Sequence, residues 1–279
     1  MGFARIFVMA SAMAFAQQPK LSIDRLALHQ FEDGPMLAPG YEFVPGETAH
    51  FSCRIAGFHT SKKEESQEVK LAWIMRVVDP EGVPIQKEKS GRIDESLSAR
   101  DKDWAPKFLE TFTVPAFAPG GAYKVRVTVT DQIAGAEASG ELAFDVRGHA
   151  VEPSPTLTVR NFKFVRAEDD QVAMRQPVYH PGDTLWAKFD ITGYKLAENH
   201  KFDVDYGLAI LNAAGEQIFS QPAAASDSKE SFYPQRYVPG ALSLNLDANV
   251  VRAAYIMIIV VHDKIGGQTD ESRHPFEVQ

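Results

Sequence analysis

The chain has one cysteine, Cys53, in 279 residues, so no intrachain disulfide can form and stability must rest on packing. It also lacks an excess of basic charge: 29 lysines and arginines stand against 37 aspartates and glutamates, a formal charge of -8. A general nucleic-acid binder needs a basic face for the phosphates, and this composition argues against that class. No Gly-rich phosphate loop, no His-Glu-x-x-His, no Gly-x-Ser-x-Gly and no paired-cysteine metal spacing occurs. The eight histidines are scattered, whereas a zinc site needs several ligands to converge. No segment carries the 3.6-residue apolar rhythm of a long amphipathic helix. These absences lead us to expect neither an enzyme nor a cofactor.

The N-terminus reads as an export signal. Arg5 supplies a basic start, Ile6 through Phe15 is mostly apolar, and Ala14-Phe15-Ala16 fits a small-x-small cleavage site, giving a signal peptide over 1–16. The apolar run is too short to anchor in a bilayer, and no later stretch is long enough and free enough of charge to span one. The expected location is the periplasm or the extracellular space.

What the chain does contain is an internal repeat. Residues 21–58 align without a gap onto 157–194, an offset of 136. Leu21, Ile23, Leu26 and Leu28 fall on Leu157, Val159, Phe162 and Phe164, and Pro45-Gly46-Glu47-Thr48 falls on Pro181-Gly182-Asp183-Thr184. The middle continues at offset 133, with Trp73 on Tyr206 and Gly82 on Gly215. The last third runs at 132, with Tyr123 on Tyr255 and Asp131 on Asp263. This divides the chain into a first domain over 17–147, a proline-containing linker over 148–156 and a second domain over 157–279.

Each repeat is patterned with period two. Ala49, Phe51, Cys53 and Ile55 alternate with His50, Ser52 and Arg54, and Tyr123, Val125, Val127 and Val129 alternate with Lys124, Arg126, Thr128 and Thr130. Such segments are half-buried strands. Asp79-Pro-Glu-Gly82 and Asn212-Ala-Ala-Gly215 are turns between them. About seven strands per repeat result, with the fourth near 84–89 and 216–220, the fifth near 109–115 and 242–246, and the last near 140–147 and 273–279. The expected fold is all-β: two immunoglobulin-like Greek-key β-sandwiches in tandem. Cys53 falls on the apolar side of its strand and reads as a small buried hydrophobe.

The strand order, the entry motif Tyr179-His-Pro-Gly-Asp183-Thr184 (Phe43-Val-Pro-Gly-Glu47-Thr48 in the first repeat) and the Tyr-centred penultimate strand resemble bacterial immunoglobulin-like domains and, loosely, macroglobulin-type modules. The paired cysteines of antibody-type domains are absent, and there is no thioester motif or bait-like segment. The resemblance implies a fold and an extracytoplasmic setting, and it implies no activity.

Three groups of residues are candidates for a site. Asp203, Asp205 and Glu198 offer the carboxylates of a glycosidase pair or of a calcium site, but the first repeat has Lys70 and Ala72 at the two aspartate positions, so a solvated face is the plainer reading. Asp131 and Asp263 read as hairpin-start residues making Asx-type turn bonds. The second group is the aromatic loop Phe232, Tyr233 and Tyr237, which either plugs the edge of its sandwich or meets a sugar or a protein partner. The third is the outward side of the penultimate strand of the second repeat. Ile256, Ile258 and Val260 stand where the first repeat has Lys124, Arg126 and Thr128. An apolar stripe of this kind needs a cover: the other domain or linker, the connection 221–241, or a dimer or other partner docking on the second domain. The expected function is that of a non-catalytic exported module for binding, adhesion or assembly, with carbohydrate recognition or an envelope spacer as alternatives.

Overall fold

The computed structural model describes residues 20–98, 100–101 and 104–279. The signal peptide expected over 1–16 lies outside the described residues. The described residues form seventeen strands and one 3-10 turn, Glu198–His200.

In the first half, β1 (Ser22–His29), β3 (Thr48–Ala56) and β7 (Lys107–Thr113) make one antiparallel sheet in the order β1-β3-β7. The second sheet runs β2 (Glu42–Phe43), β9 (Ala136–Val146), β8 (Gly121–Asp131), β5 (Ser66–Val78), β4 (Ser61–Lys63), with β6 (Lys89–Leu97) also on β5. The second half repeats the plan. The sheet β10-β12-β15 (Thr158–Val165, Thr184–Thr192, Tyr237–Asn245) faces the sheet β11-β17-β16-β13-β14 (Val178–Tyr179, Gln268–Val278, Ala254–Asp263, Phe202–Leu211, Gln217–Lys229). The chain passes between the two sheets several times, as a Greek key requires, and each pair of inner faces closes on its own apolar core.

The repeat survives at the level of irregularities. The β1/β3 register slips between Asp24 and Ala27, and the β10/β12 register slips at the matching Arg160 and Lys163. Arg25 and Asn161 sit at these bulges with φ of 53° and 50°. Gly57 and Gly193 both have positive φ, and a Cβ there would lie 2.2 Å from the Lys20 carbonyl and 1.9 Å from that of Thr156. Phe51, Ala187 and Tyr123 are fully buried, and Tyr206 and Tyr255 nearly so. The hydroxyls of Tyr123 and Tyr255 donate to the carbonyls four residues earlier, Pro119 and Val251, at 2.8 and 2.6 Å. Cys53 is buried, and burial pushes its thiol up to about 12.

Asp131 and Asp263 play the same part in each sandwich. One oxygen of Asp131 accepts the amides of Ile133 and Ala134, and the other accepts the amide of His59 at 2.7 Å. Asp263 accepts Ile265, Gly266 and Lys195 in the same way. Each carboxylate therefore starts a hairpin and ties it to the loop that follows β3 or β12.

The strands differ from the sequence reading at their ends. The fourth strand of the first domain occupies 89–97 rather than 84–89, and its counterpart runs on to Lys229. The hairpin strands β9 and β17 begin at Ala136 and Gln268, and β7 and β15 begin at Lys107 and Tyr237. In β6 and the start of β9 exposed residues alternate with half-buried ones and leave little apolar signal, whereas the added starts of β7 and β15 bring in the buried Phe108, Tyr237 and Val238.

Candidate functional site

The two sandwiches meet at the loop between β14 and β15. This loop is held by its own bonds: the Tyr194 hydroxyl donates to Gln235 O at 2.6 Å, Ser231 Oγ to Tyr233 O at 2.7 Å, and Gln235 Nε2 to Tyr237 O at 2.9 Å. From it Tyr233 projects into the apolar core of the first sandwich, where it is 6% exposed.

Its receptor is the turn Asp79-Pro-Glu-Gly82. Asp79 Oδ1 accepts the amides of Glu81 and Val83 at 2.9 and 2.8 Å, which closes the turn. Asn212 closes the matching turn of the second sandwich with the amides of Ala214 and Glu216. The carboxylate of Asp79 has a further oxygen, and Oδ2 accepts the Tyr233 hydroxyl at 2.9 Å and Arg236 Nη2 at 2.6 Å. Arg236 Nη1 also pairs with Glu81. The Asp79 side chain has no solvent exposure, and the Arg236 side chain keeps 28%. Burial, reinforced by Tyr123 and Asp79, holds the Tyr233 phenol far above its ordinary pKa, and burial pushes Tyr123 up to about 12. Both therefore stay neutral hydrogen-bonding groups.

A second set of contacts ties down the linker. His149 Nε2 lies 2.7 Å from Asp190 Oδ2, and Asn161 Nδ2 donates to both Asp190 Oδ2 and the Ala150 carbonyl. Tyr237, 8% exposed, packs its ring edge-on to Phe117 at 5.7 Å and against His149 at 5.2 Å. Lys229 Nζ sits 5.7 Å from the Phe117 ring centroid. Between the sandwiches these elements leave a groove of about 910 Å³. Its walls come largely from Pro80, Pro119, Pro153, Phe117, Val151 and Leu196, and its polar groups are mainly Glu81, Arg236, Gln235 and His149.

The sequence-predicted residues thus divide. Tyr233 and Tyr237 are brought together at the junction, whereas Phe232 is 46% exposed beside them. Ile256, Ile258 and Val260 lie elsewhere, on the outward face of β16. Ile258 is 8% exposed and sits in register between Ala209 and Arg273, with Ile256 and Val260 half-buried on either side. Beside Val260 in register is Gly207, and the chain at Gln221–Pro222 crosses directly over it: a Cβ there would lie 2.1 Å from the Gln221 carbonyl. Gln221 and Pro222 belong to β14, so most of the expected connection 221–241 is strand, and only this crossing lies at the margin of the stripe. Asp205 pairs with His262 at 2.7 Å and Lys264 at 3.2 Å, and Asp203 lies 3.5 Å from Lys264. Burial alone would raise the Asp205 pKa, but the hydrogen bonds from His262 and Lys264 hold it below the usual carboxylate range. Among the described residues no three metal-ligating side chains gather at one point, and no helix is long and apolar enough to cross a membrane.

The sequence reading did not single out Asp79, Glu81 or Arg236. Asp79 was legible as a turn residue, and the pairing of its second oxygen depends on a residue 157 positions away.

No protein-family model matches the chain, and no curated protein matches it. Among solved structures it is similar to the C-terminal domain of the Streptococcus agalactiae AgI/II polypeptide BspA, at 11% identity and a TM-score of 0.29 over 93% of this chain and 99% of that one. The C-terminal domain of the Streptococcus pyogenes antigen I/II-family protein AspA gives 9% and 0.31 over 94% and 100%. A family 123 glycoside hydrolase from Clostridium perfringens gives 14% and 0.31, over 44% of this chain and 27% of that one. None of the three is a macroglobulin-type module. Likeness at this level bears on neither activity nor partner.

Proposed function

We propose that the chain is a non-catalytic, exported binding module in which two β-sandwiches act as one rigid body and present the junction groove to a polypeptide partner. The observation that carries this reading is the groove itself, held open by a buried aromatic and ionic latch that fixes its two walls. The latch costs little order on binding, because the walls are already placed. Mostly apolar walls with a few oriented polar groups suit an extended peptide segment. Sugar rings need aromatic faces to stack on, and the faces of Tyr233 and Tyr237 are spent inside the junction. Phe232 is the aromatic of this loop left for the carbohydrate alternative.

The test is to pan a displayed peptide library and, in parallel, a glycan array with the wild-type chain and with Ala150→Trp, which fills the groove from an exposed position. Peptides retained by the wild type and lost by the variant support the proposal. Glycan binding that vanishes with Phe232→Ala, with no groove-dependent peptide, overturns it.

A further inference from the structure

The two sandwiches, alike in plan, close one side differently. In the first, the open side between the edge strands β6 and β7 is shut. Ile85 turns into the core at 5% exposure while its amide donates to Val77 O at 3.0 Å. Lys89 then bridges the gap, donating to Glu110 Oε2 at 2.9 Å and to the Thr111 carbonyl at 2.7 Å.

In the second sandwich the matching side, between β14 and β15, is open. Ile210 stands where the first has Val77, and it pairs with Phe219, but a register shift beyond Ile210 leaves Ile218 unpaired. Ile218 is 53% exposed and Phe219 39%. What remains is an apolar pocket of about 180 Å³ lined chiefly by Ile210, Phe219, Leu244, Leu246, Val250 and Tyr255. A surface depression with so apolar a lining suits an apolar side chain.

The neighbouring backbone is unguarded. β14 and β15 are each the last strand of their sheet. Edge strands are commonly protected by charge. β6 obeys this, with Lys89, Arg92, Asp94 and Glu95, whereas Gln217 through Ser226 of β14 carries no charge. Pro222, with no N–H to give, limits the pairable stretch to Gln217–Gln221.

We infer that this edge is a strand-addition site. It takes an extended segment of a partner polypeptide, pairing along the outer edge of Gln217–Gln221 and placing one β-branched aliphatic side chain in the pocket, the kind of side chain that Ile85 buries on the matching side of the first sandwich. Backbone pairing supplies affinity and the pocket selects the side chain. The site is separate from the junction groove and stands without it.

The probe is a synthetic peptide copying residues 82–89 of this chain, titrated into the full-length protein while methyl resonances of Ile210, Leu244, Leu246 and Val250 are followed. The expected result is saturable shifts confined to those methyls, with binding weakened roughly tenfold or more by Leu246→Arg or by Ile85→Asp in the peptide. Ile218→Lys and Phe219→Lys, at exposed positions that leave the melting temperature unchanged, weaken it as well, which separates lost binding from lost folding. Unmoved methyls at millimolar peptide overturn the inference. So does sedimentation showing that the chain dimerises through this edge, since the occupant is then a second copy.

Discussion

The hydroxyl of Tyr233 donates to the carboxylate of Asp79 at 2.9 Å across 154 residues of sequence, and so places a side chain of the second sandwich inside the core of the first. A linker alone would leave two sandwiches free to reorient. An aromatic anchored by a buried acceptor makes reorientation cost both the ring's burial and its hydrogen bond.

Removing the ring therefore uncouples the halves. Tyr233→Ala is expected to cost about 3–5 kcal/mol, the range for deleting a buried aromatic. Tyr233→Phe keeps the packing and forfeits the bond, at about 1–2 kcal/mol. Scanning calorimetry checks both: the wild type melts in one cooperative transition, and Tyr233→Ala separates it into two. A single unshifted transition in Tyr233→Ala would contradict the coupling.

The ionic half of the latch makes a separate forecast. Removing Arg236 leaves the buried Asp79 carboxylate uncompensated, at about 3–5 kcal/mol, whereas Arg236 without Asp79 keeps Glu81. Asp79→Ala also opens the turn that Glu81 and Val83 amides close, so it is expected to cost more than Arg236→Ala. In a double-mutant cycle the pair should couple by about 1–3 kcal/mol. Additive losses would mean that Asp79 acts through its turn alone.

Both sandwiches were legible because their inner faces alternate with period two and their turns carry Pro, Gly and Asp at fixed offsets. Tyr123 and Tyr255, or Asp131 and Asp263, pair on sequence alone, and they occupy equivalent places. The junction was half legible. The aromatic loop stood out, but the same residues serve equally to plug a core or to face a partner, and only the position of Asp79 decides. Strand ends such as 89–97 left almost no trace, since a polar ladder on a solvated face needs no particular side chain. Ile85 and Phe219 show the same limit. Nearly matching positions in similar sequence surroundings, they are buried in one sandwich and exposed in the other because of a register slip beside Ile210.

The stability of the second sandwich should fall in mild acid because of His274. Its ring stacks on Phe162 with 3.3 Å between centroids, and burial lowers its pKa to about 4 from 6.5. A histidine that stays neutral when folded binds its proton more readily when unfolded. The contribution is whole above pH 6.5 and is lost progressively as pH falls toward 4, reaching about 3 kcal/mol at about 1.4 kcal/mol per unit. Leu26 and Leu142 occupy the matching positions of the first sandwich, so His274→Leu is the natural control. Melting temperatures at pH 7.5 and 4.5 should drop sharply for the wild type and far less for His274→Leu. Equal drops would show that the carboxylates alone set the acid response.

Gly207 tests what covers the apolar stripe on β16. Its backbone is ordinary extended strand, so a larger residue meets no φ penalty there, and any cost must come from contact. The first sandwich carries Ile74 at this position, 38% exposed. In the second, an alanine Cβ would lie 2.1 Å from the Gln221 carbonyl and 2.3 Å from that of Pro222. Both obstacles are backbone, so the bulge of β14 must move rather than a side chain turn aside. Gly207→Ala is expected to cost about 1–3 kcal/mol by overpacking. It should also raise hydrogen exchange at Gln221 through Ala225 while the central amides of β16 keep their protection. Ile258 and Val260 would then gain exposure, and sedimentation at rising concentration should show association that the wild type lacks. If Gly207→Ala melts with the wild type and exchanges no faster, the bulge is too loose to be the cover, and the stripe must be shielded by something beyond this chain.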